Sequence, residues 1–265
     1  MPRIALGLEY DGTAYRGWQT QLSAKSVQSE VEQALAFVAD HPIESVPAGR
    51  TDAGVHAAMQ VIHFDTPSER SERGWILGAN TRMPDDISAL WARPVPDDFH
   101  ARYGARARSY RYVIQNRAPR SALQRLRASW IREPLDAVPM HIAAQALIGE
   151  HDFSSFRAAE CQSRTPMRRL DSIAVARRGE FVIIDVTANA FLHHMVRNIV
   201  GVLLAVGNGE RPVSWVQEVL AGRDRRLGGI TAPAQGLALV GVRYPSHFGL
   251  PSEPVADGFT AALPE

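Results

Sequence analysis

The densest concentration of chemically capable side chains is one nine-residue string, Gly49-Arg50-Thr51-Asp52-Ala53-Gly54-Val55-His56-Ala57. Two glycines bracket a loop between strand-like runs. Arg50 and Asp52 stand two apart, which in extended backbone puts them on the same side. A guanidinium and a carboxylate can therefore face one pocket, where the carboxylate can act as nucleophile or base. The same string also reads as a solvated turn in which Asp52 caps nearby backbone N–H groups.

A second string, Phe191-Leu192-His193-His194-Met195-Val196-Arg197-Asn198, opens an amphipathic run. The His pair raises the question of a metal. Adjacent residues on a helix point about 100° apart and chelate poorly. H-x-x-x-H spacing is absent and Cys161 is the only cysteine, so no metal site is expected. Arg197 lies within an otherwise apolar face, where a buried guanidinium needs an anion.

Charge sharpens the picture. The chain has 265 residues with a formal net charge of +1, and every basic residue but Lys25 is an arginine. Guanidinium suits bidentate phosphate contacts and stacking on bases, although a GC-rich genome yields the same excess. From Ala101 to Arg132 there are nine arginines and no acid. Such a stripe steers phosphate whatever the global balance. Phe99-His100-Ala101-Arg102-Tyr103 begins the stripe, and Glu160-Cys161-Gln162-Ser163-Arg164 lies in a loop rich in polar donors. Together they resemble a surface that contacts RNA through arginine on phosphate and aromatic rings on bases. Walker A, G-x-G-x-x-G and G-x-S-x-G strings are absent, which leaves nucleotide hydrolysis, dinucleotide binding and serine hydrolysis without support.

These strings need elements to hold them. Ile4, Leu6, Leu8 and Tyr10 alternate as a strand that breaks at Asp11-Gly12. After a Ser26 cap, Val27, Val31, Ala34, Leu35 and Val38 take helical spacing. Strands are expected at Val61–Phe64, Ile87–Val95, Ala105–Gln115 and Leu237–Val242, with a hairpin of Leu170–Val175 and Phe181–Val186 across Arg178-Gly179. Helices are expected at Met140–Ile148, from Leu192 to Leu204, and at Val213–Leu220. Neighbouring strands are close enough to pair as hairpins, which favours α+β with a mostly antiparallel sheet. A half at 1–104 would carry the Asp52 loop, a half at 105–245 the basic stripe and amphipathic helix, and 246–265 an acidic, Pro-rich tail. The lone cysteine fits a reducing cytoplasm, and the longest apolar run, Ile199 to Gly207, is too short to span a membrane.

The string G-R-T-D-A-G-V-H-A, followed in order by F-H-A-R, S-Y-R-Y, F-x-S-F-R, C-Q-S-R-T, H-H-M-V-R-N-I-V-G and A-x-G-L, resembles the tRNA pseudouridine synthase A family from about Ile4 to Tyr244. The resemblance implies an isomerase that converts uridine to pseudouridine at tRNA positions 38, 39 and 40, in the anticodon stem-loop. It implies the pseudouridine synthase fold, two RNA-recognition-like halves sharing a mostly antiparallel sheet with a central cleft, and a homodimer. Carried over by motif, the catalytic aspartate falls on Asp52 and the base-flipping arginine on Arg50. The tyrosine that stacks on uracil falls on Tyr110, and the apolar residue after the late glycine on Leu237. The tRNA-contacting segments fall on Phe99, His100, Ala101, Arg102 and Tyr103 and on Glu160, Cys161, Gln162, Ser163 and Arg164. The reaction changes no oxidation state and transfers no group to a second molecule, so no cofactor is expected.

The expected fold would bring Asp52 to the cleft that Arg197 faces, which makes a direct ion pair the expectation; the other reading has Arg197 on tRNA phosphate. Two further function classes stand beside this one. One is an RNA-binding module without activity, which gives Asp52 nothing to do. The other is an Asp-dependent hydrolase or phosphotransferase, which needs a metal.

Overall fold

Strand β1 (Arg3–Tyr10) takes up the alternation of Ile4, Leu6, Leu8 and Tyr10 in a computed structural model that describes residues 1–251. Residues 252–265, most of the expected tail, lie outside the described residues. Helix α1 (Val27–Ala39) starts where the Ser26 hydroxyl accepts from Ser29 N–H at 3.2 Å, and it buries Val27, Val31, Ala34 and Leu35. After the short β2 (Val46–Pro47), strand β3 (His56–Asp65) runs well beyond the apolar core read at Val61–Phe64. Its buried run includes His56, Gln60 and His63, polar types that dilute the strand signal. Helix α2 (Glu72–Asn80) was not legible, because Gly74 and Gly78 break its pattern. Ser71 starts it by accepting from Gly74 N–H at 3.0 Å. Strand β4 (Ile87–Val95) has the expected bounds.

The chain continues through β5 (Ala107–Asn116), the short β6 (Ser129–Ile131) and α3 (Ala137–Ala144), which begins earlier than periodicity suggested because Asp136 caps it through Val138 N–H at 2.9 Å. Strand β7 (Gly149–Asp152) precedes the hairpin β8 (Met167–Arg178) and β9 (Phe181–Ala188). Helices α4 (Met195–Gly207) and α5 (Trp215–Gly222) lead to β10 (Leu237–Arg243).

These elements form two compact units. Unit 1 is Met1–Ala107 together with the described residues 238–251. Its strands run in the order β4-β1-β3-β10, with β2 also on β3. β1 pairs antiparallel with β3 (Leu6↔Ile62) and β4 (Leu6↔Ala92), whereas β10 lies parallel to β3 (Ala238↔His56). α1 and α2 pack together and α2 rests on β4. Trp18, Phe64, Trp75, Leu6, Leu8 and Leu35 make the core, each fully buried; burial of one such side chain is worth about 1.5–3 kcal/mol.

Unit 2 is Arg108–Leu237 within the described residues. Its strands run β5-β9-β8-β7, all antiparallel, with β6 parallel to β5. α4 buries residues on every side, and α3 and α5 pack against it. Both units are thus α+β with mostly antiparallel strands, the expected class.

Candidate functional site

The Asp52 loop belongs to unit 1 and is held at almost every residue. Gln60 is fully buried, donates its amide N–H to the Gly49 carbonyl at 2.7 Å and offers Oε1 to Gly49 N–H at 3.4 Å. The Tyr10 hydroxyl meets Thr51 Oγ1 at 2.8 Å. Trp18 N–H bonds the Thr51 carbonyl at 3.0 Å, and Val55 N–H bonds that of Asp52 at 3.1 Å. Two glycines let the 12–18 segment lie this close. A Cβ on Gly12 would stand 2.0 Å from the Val55 carbonyl oxygen, and Gly17, at φ +94°, backs onto Thr51 and Asp52. His56 Nδ1 lies 3.1 Å from both the Gly12 nitrogen and the Asp11 carboxylate; with Nδ1 protonated it donates to Asp11 and holds that carboxyl well below the usual range, and unprotonated it accepts from Gly12 N–H. Within this frame Asp52 is partly exposed and Arg50 exposed. The loop is a rigid mount for one carboxylate, not a loose solvated turn.

The segment 99–103, also in unit 1, divides its residues between core and surface. Phe99 and Ala101 are completely buried, Phe99 packing on Tyr244 at 5.0 Å and Phe248 at 5.1 Å between ring centres. Their side chains are structural, so the surface of this segment is His100, Arg102 and Tyr103. The His100 ring stacks on Tyr103 at 4.4 Å, and Arg102 reaches over the Tyr103 face at 5.6 Å. The buried His63 fixes the turn by accepting from Ala101 N–H at 3.1 Å, and burial pulls its pKa down to about 4. Arg3 adds two bonds, to the carbonyls of Asp97 at 2.8 Å and Phe99 at 2.7 Å. The outcome is a preordered, cationic aromatic surface suited to bases and phosphate.

Unit 2 holds the remaining residues. Tyr110 on β5 is largely buried against Phe191, edge to face at 5.0 Å. Its β5 neighbour Tyr112 anchors the segment before Leu237, donating to the Pro233 carbonyl at 2.8 Å and meeting Ser129 Oγ at 2.6 Å. Burial raises the Tyr112 pKa, so it stays a neutral donor. Leu237 is buried at the start of β10. Arg197 is half-buried; its Nε donates to the Ala232 carbonyl at 2.7 Å. Asn198, Arg225 and Thr231 lock the same segment, with Arg225 donating to Asn198 Oδ1 and Thr231 Oγ1 at 3.0 Å each. Sequence reasoning missed these supports; an asparagine in an otherwise apolar helix was the available signal.

The His pair is corrected by the structure. His193 and His194 precede α4, and His194 adopts left-handed backbone at φ +61°. The rings consequently stack 4.1 Å apart instead of diverging with helical spacing. His193 also closes the 158–165 loop, its N–H pointing at Cys161 Sγ at 3.4 Å and its carbonyl accepting from Ala158 N–H at 3.0 Å. Arg157 ties the Cys161 and Ser163 carbonyls at 2.5 and 2.9 Å. Glu160, Gln162 and Arg164 are exposed, Ser163 is intermediate and Cys161 is buried.

The nine arginines of the basic stripe are not equivalent. Arg108 is buried and bonds the Asn189 carbonyl at 2.8 Å, Arg111 pairs with Asp185 at 2.6 Å, and Arg117 with Glu180 at 3.0 Å. Arg102, Arg106, Arg120, Arg125, Arg127 and Arg132 are exposed and carry the surface potential.

The family described as "tRNA pseudouridine synthase" matches residues 8–104 and 143–245. The chain is 56% identical over 259 residues to tRNA pseudouridine synthase A of Coxiella burnetii (strain Dugway 5J108-111), covering 98% of this chain and 99% of that one. It is 56% identical over 259 residues to the protein of that name in Methylococcus capsulatus (98% and 96% covered). It is 53% identical over 255 residues to the one in Nitrosococcus oceani (96% and 98% covered). Among solved structures, a chain of the "Crystal Structure of a Cbf5-Nop10-Gar1 Complex" gives a TM-score of 0.34 at 10% identity over 76% of this chain and 45% of that chain, a likeness too distant to argue from.

Proposed function

The chain belongs to the tRNA pseudouridine synthase A family, which isomerises uridine to pseudouridine in tRNA, and we propose that its targets are uridines 38, 39 and 40 of the anticodon stem-loop, with Asp52 as the catalytic carboxylate. The observation that carries this reading is the mounting of Asp52. The backbone on both sides of it is fixed by buried partners, while the residue itself stays accessible. Rigid presentation of a single carboxylate is what a reaction at one sugar–base bond requires.

The chemistry assigns the other residues. The C1′–N1 bond breaks, the detached uracil rotates, C1′ bonds to C5, and the C5 proton leaves while N1 gains one. Asp52 acts at C1′, at C6 or on the C2′ proton; each route uses the one carboxylate. A base paired in a stem must first leave the stack, and Arg50, exposed beside Asp52, fills the vacated place and holds phosphate. Tyr110 offers its ring face to uracil, and its hydroxyl relays the C5 proton, taking it on the oxygen while passing its own proton to solvent. Leu237 walls off water so that the free base is not lost. Arg197 is proposed as the counter-ion of Asp52; within its own unit its Nε donates to the Ala232 carbonyl at 2.7 Å. The partly exposed His100 and the exposed Arg102, Tyr103, Glu160, Gln162 and Arg164 contact the tRNA. A cytoplasmic homodimer completes the reading; exposed Leu123 and Trp130, among the exposed arginines of 120–132, support the dimer.

Tritium release from [5-³H]uridine-labelled tRNA tests this. Wild type releases label from positions 38–40, and Asp52→Asn releases none while holding tRNA within a few fold of wild-type affinity, since affinity comes mainly from phosphate contacts. Turnover by a verified, undeamidated Asn variant defeats the assignment. Binding without release by wild type points instead to an RNA-binding module.

A further inference from the structure

We propose that Gln60 and Tyr10 are positioning residues for Asp52, a buried clasp that sets where the carboxylate stands; this rests on the assignment of Asp52 as the catalytic group. Nothing in the reaction uses either side chain. Both lie in the core of unit 1, Gln60 at 0% and Tyr10 at 4% exposure.

A neutral amide in an apolar strand is costly unless its groups are bonded. Gln60 sits in β3 between Met59 and Val61, where a leucine or valine would pack at no such cost. Its bonds are directed at one place. Nε2 donates to the Gly49 carbonyl at 2.7 Å, and Oε1 accepts from Val61 N–H at 3.2 Å and faces Gly49 N–H at 3.4 Å. The amide thus stands in for a neighbouring strand at Gly49, just where β2 has ended and Ala48 N–H makes its bond to the Val61 carbonyl at 2.7 Å.

Two residues on, the Tyr10 hydroxyl takes over. It meets Thr51 Oγ1 at 2.8 Å and lies 3.5 Å from Gln60 Nε2. Burial pushes its pKa up to about 12, so the hydroxyl keeps its proton throughout the working range. The two side chains and the loop form one chain of contacts, Gly49–Gln60–Tyr10–Thr51, ending at the peptide that leads into Asp52. Catalytic geometry tolerates little slack: a displacement near 1 Å costs roughly 10²-fold in rate.

The test separates positioning from bulk stability. Gln60→Met keeps volume and removes the amide; Tyr10→Phe removes one oxygen and is the safeguard should Gln60→Met not fold. Single-turnover rates at saturating enzyme, tRNA Kd and Tm are measured for both, with Asp52→Asn alongside. We expect the rate to fall about 10- to 100-fold in a folded variant, with Kd within twofold of wild type. Gln60→Glu gives a further signature. Its neutral acid can donate to Gly49 and its anion cannot, so its rate relative to wild type rises as pH falls. A folded variant that keeps its rate within twofold, or a rate loss matched by an equal loss of tRNA affinity, overturns the inference. An inactive Asp52→Asn beside a fully active Gln60→Met refutes the clasp alone, whereas an active Asp52→Asn refutes the assignment on which it stands.

Discussion

Arg197 and Ala232 hold each other twice: the Arg197 Nε donates to the Ala232 carbonyl at 2.7 Å, and the Ala232 N–H returns to the Arg197 carbonyl at 3.1 Å. A side chain from the first turn of α4 is thereby fixed to the segment that leads, through Pro233 and Gly236, into Leu237. Gly201 lets that segment lie on the helix, since a Cβ there would stand 1.9 Å from the Ile230 carbonyl oxygen.

Arg197→Ala should therefore lower both stability and rate. The Ala232 carbonyl loses its partner, at a cost of about 1–3 kcal/mol, which for a chain of this size is a Tm drop of roughly 2–4 °C per kcal/mol. If Arg197 is the proposed counter-ion of Asp52, its loss also lowers the single-turnover rate. Thermal melts and tritium release check both. Weaker tRNA binding at unchanged Tm and rate would place Arg197 on phosphate instead.

Tyr110→Phe should lose far more rate than affinity. The ring and its edge contact with Phe191 survive, so the proposed stacking on uracil is retained, whereas the hydroxyl proposed to relay the C5 proton is gone. Comparing kcat with tRNA Kd decides it, and a Phe variant as fast as wild type leaves Tyr110 with stacking only.

Turnover should survive exhaustive EDTA treatment when the tRNA is refolded separately with Mg²⁺. The isomerisation calls for no redox step, and in the proposed mechanism Asp52 and Tyr110 supply the acid–base work. Because the His193 and His194 rings stack 4.1 Å apart, zinc is the ion to add back. Activity lost to EDTA and restored by zinc would overturn the metal-free mechanism.

His63 should make folding weaken in acid. Its pKa in the fold is about 4, lowered first by burial and then by Arg3 and His100, against about 6.5 in an unfolded chain. Between these values the unfolded state binds the extra proton. The stability is thus complete above pH 6.5, declines as pH falls toward 4, and levels off below. Tm measured from pH 7.5 to 4 should show a shallower slope in His63→Gln than in wild type; equal slopes would remove His63 from the account.

What local pattern determines, the sequence displayed. Ser26 before a 3.6-residue apolar repeat gives α1, alternation gives β1, and Gly179 at φ +56° turns the β8–β9 hairpin. The Asp52 string was conspicuous for the same reason: its chemistry lies in consecutive residues. The tertiary structure decided whatever depends on partners distant in the chain. Phe99 and Ala101 look like surface beside Arg102, yet Tyr244 and Phe248, about 145 residues later, cover Phe99. The stripe's charge looked uniform until Asp185 and Glu180 neutralised Arg111 and Arg117. His193 and His194 read as the start of a helix, and only the left-handed turn at His194 brings their rings together. Most of all, the fixing of Asp52 comes from Tyr10, Trp18 and Gln60, none adjacent to it in sequence. Hydrogen bonds and burial act through space, so a string can announce a carboxylate while only the folded chain determines where it is held.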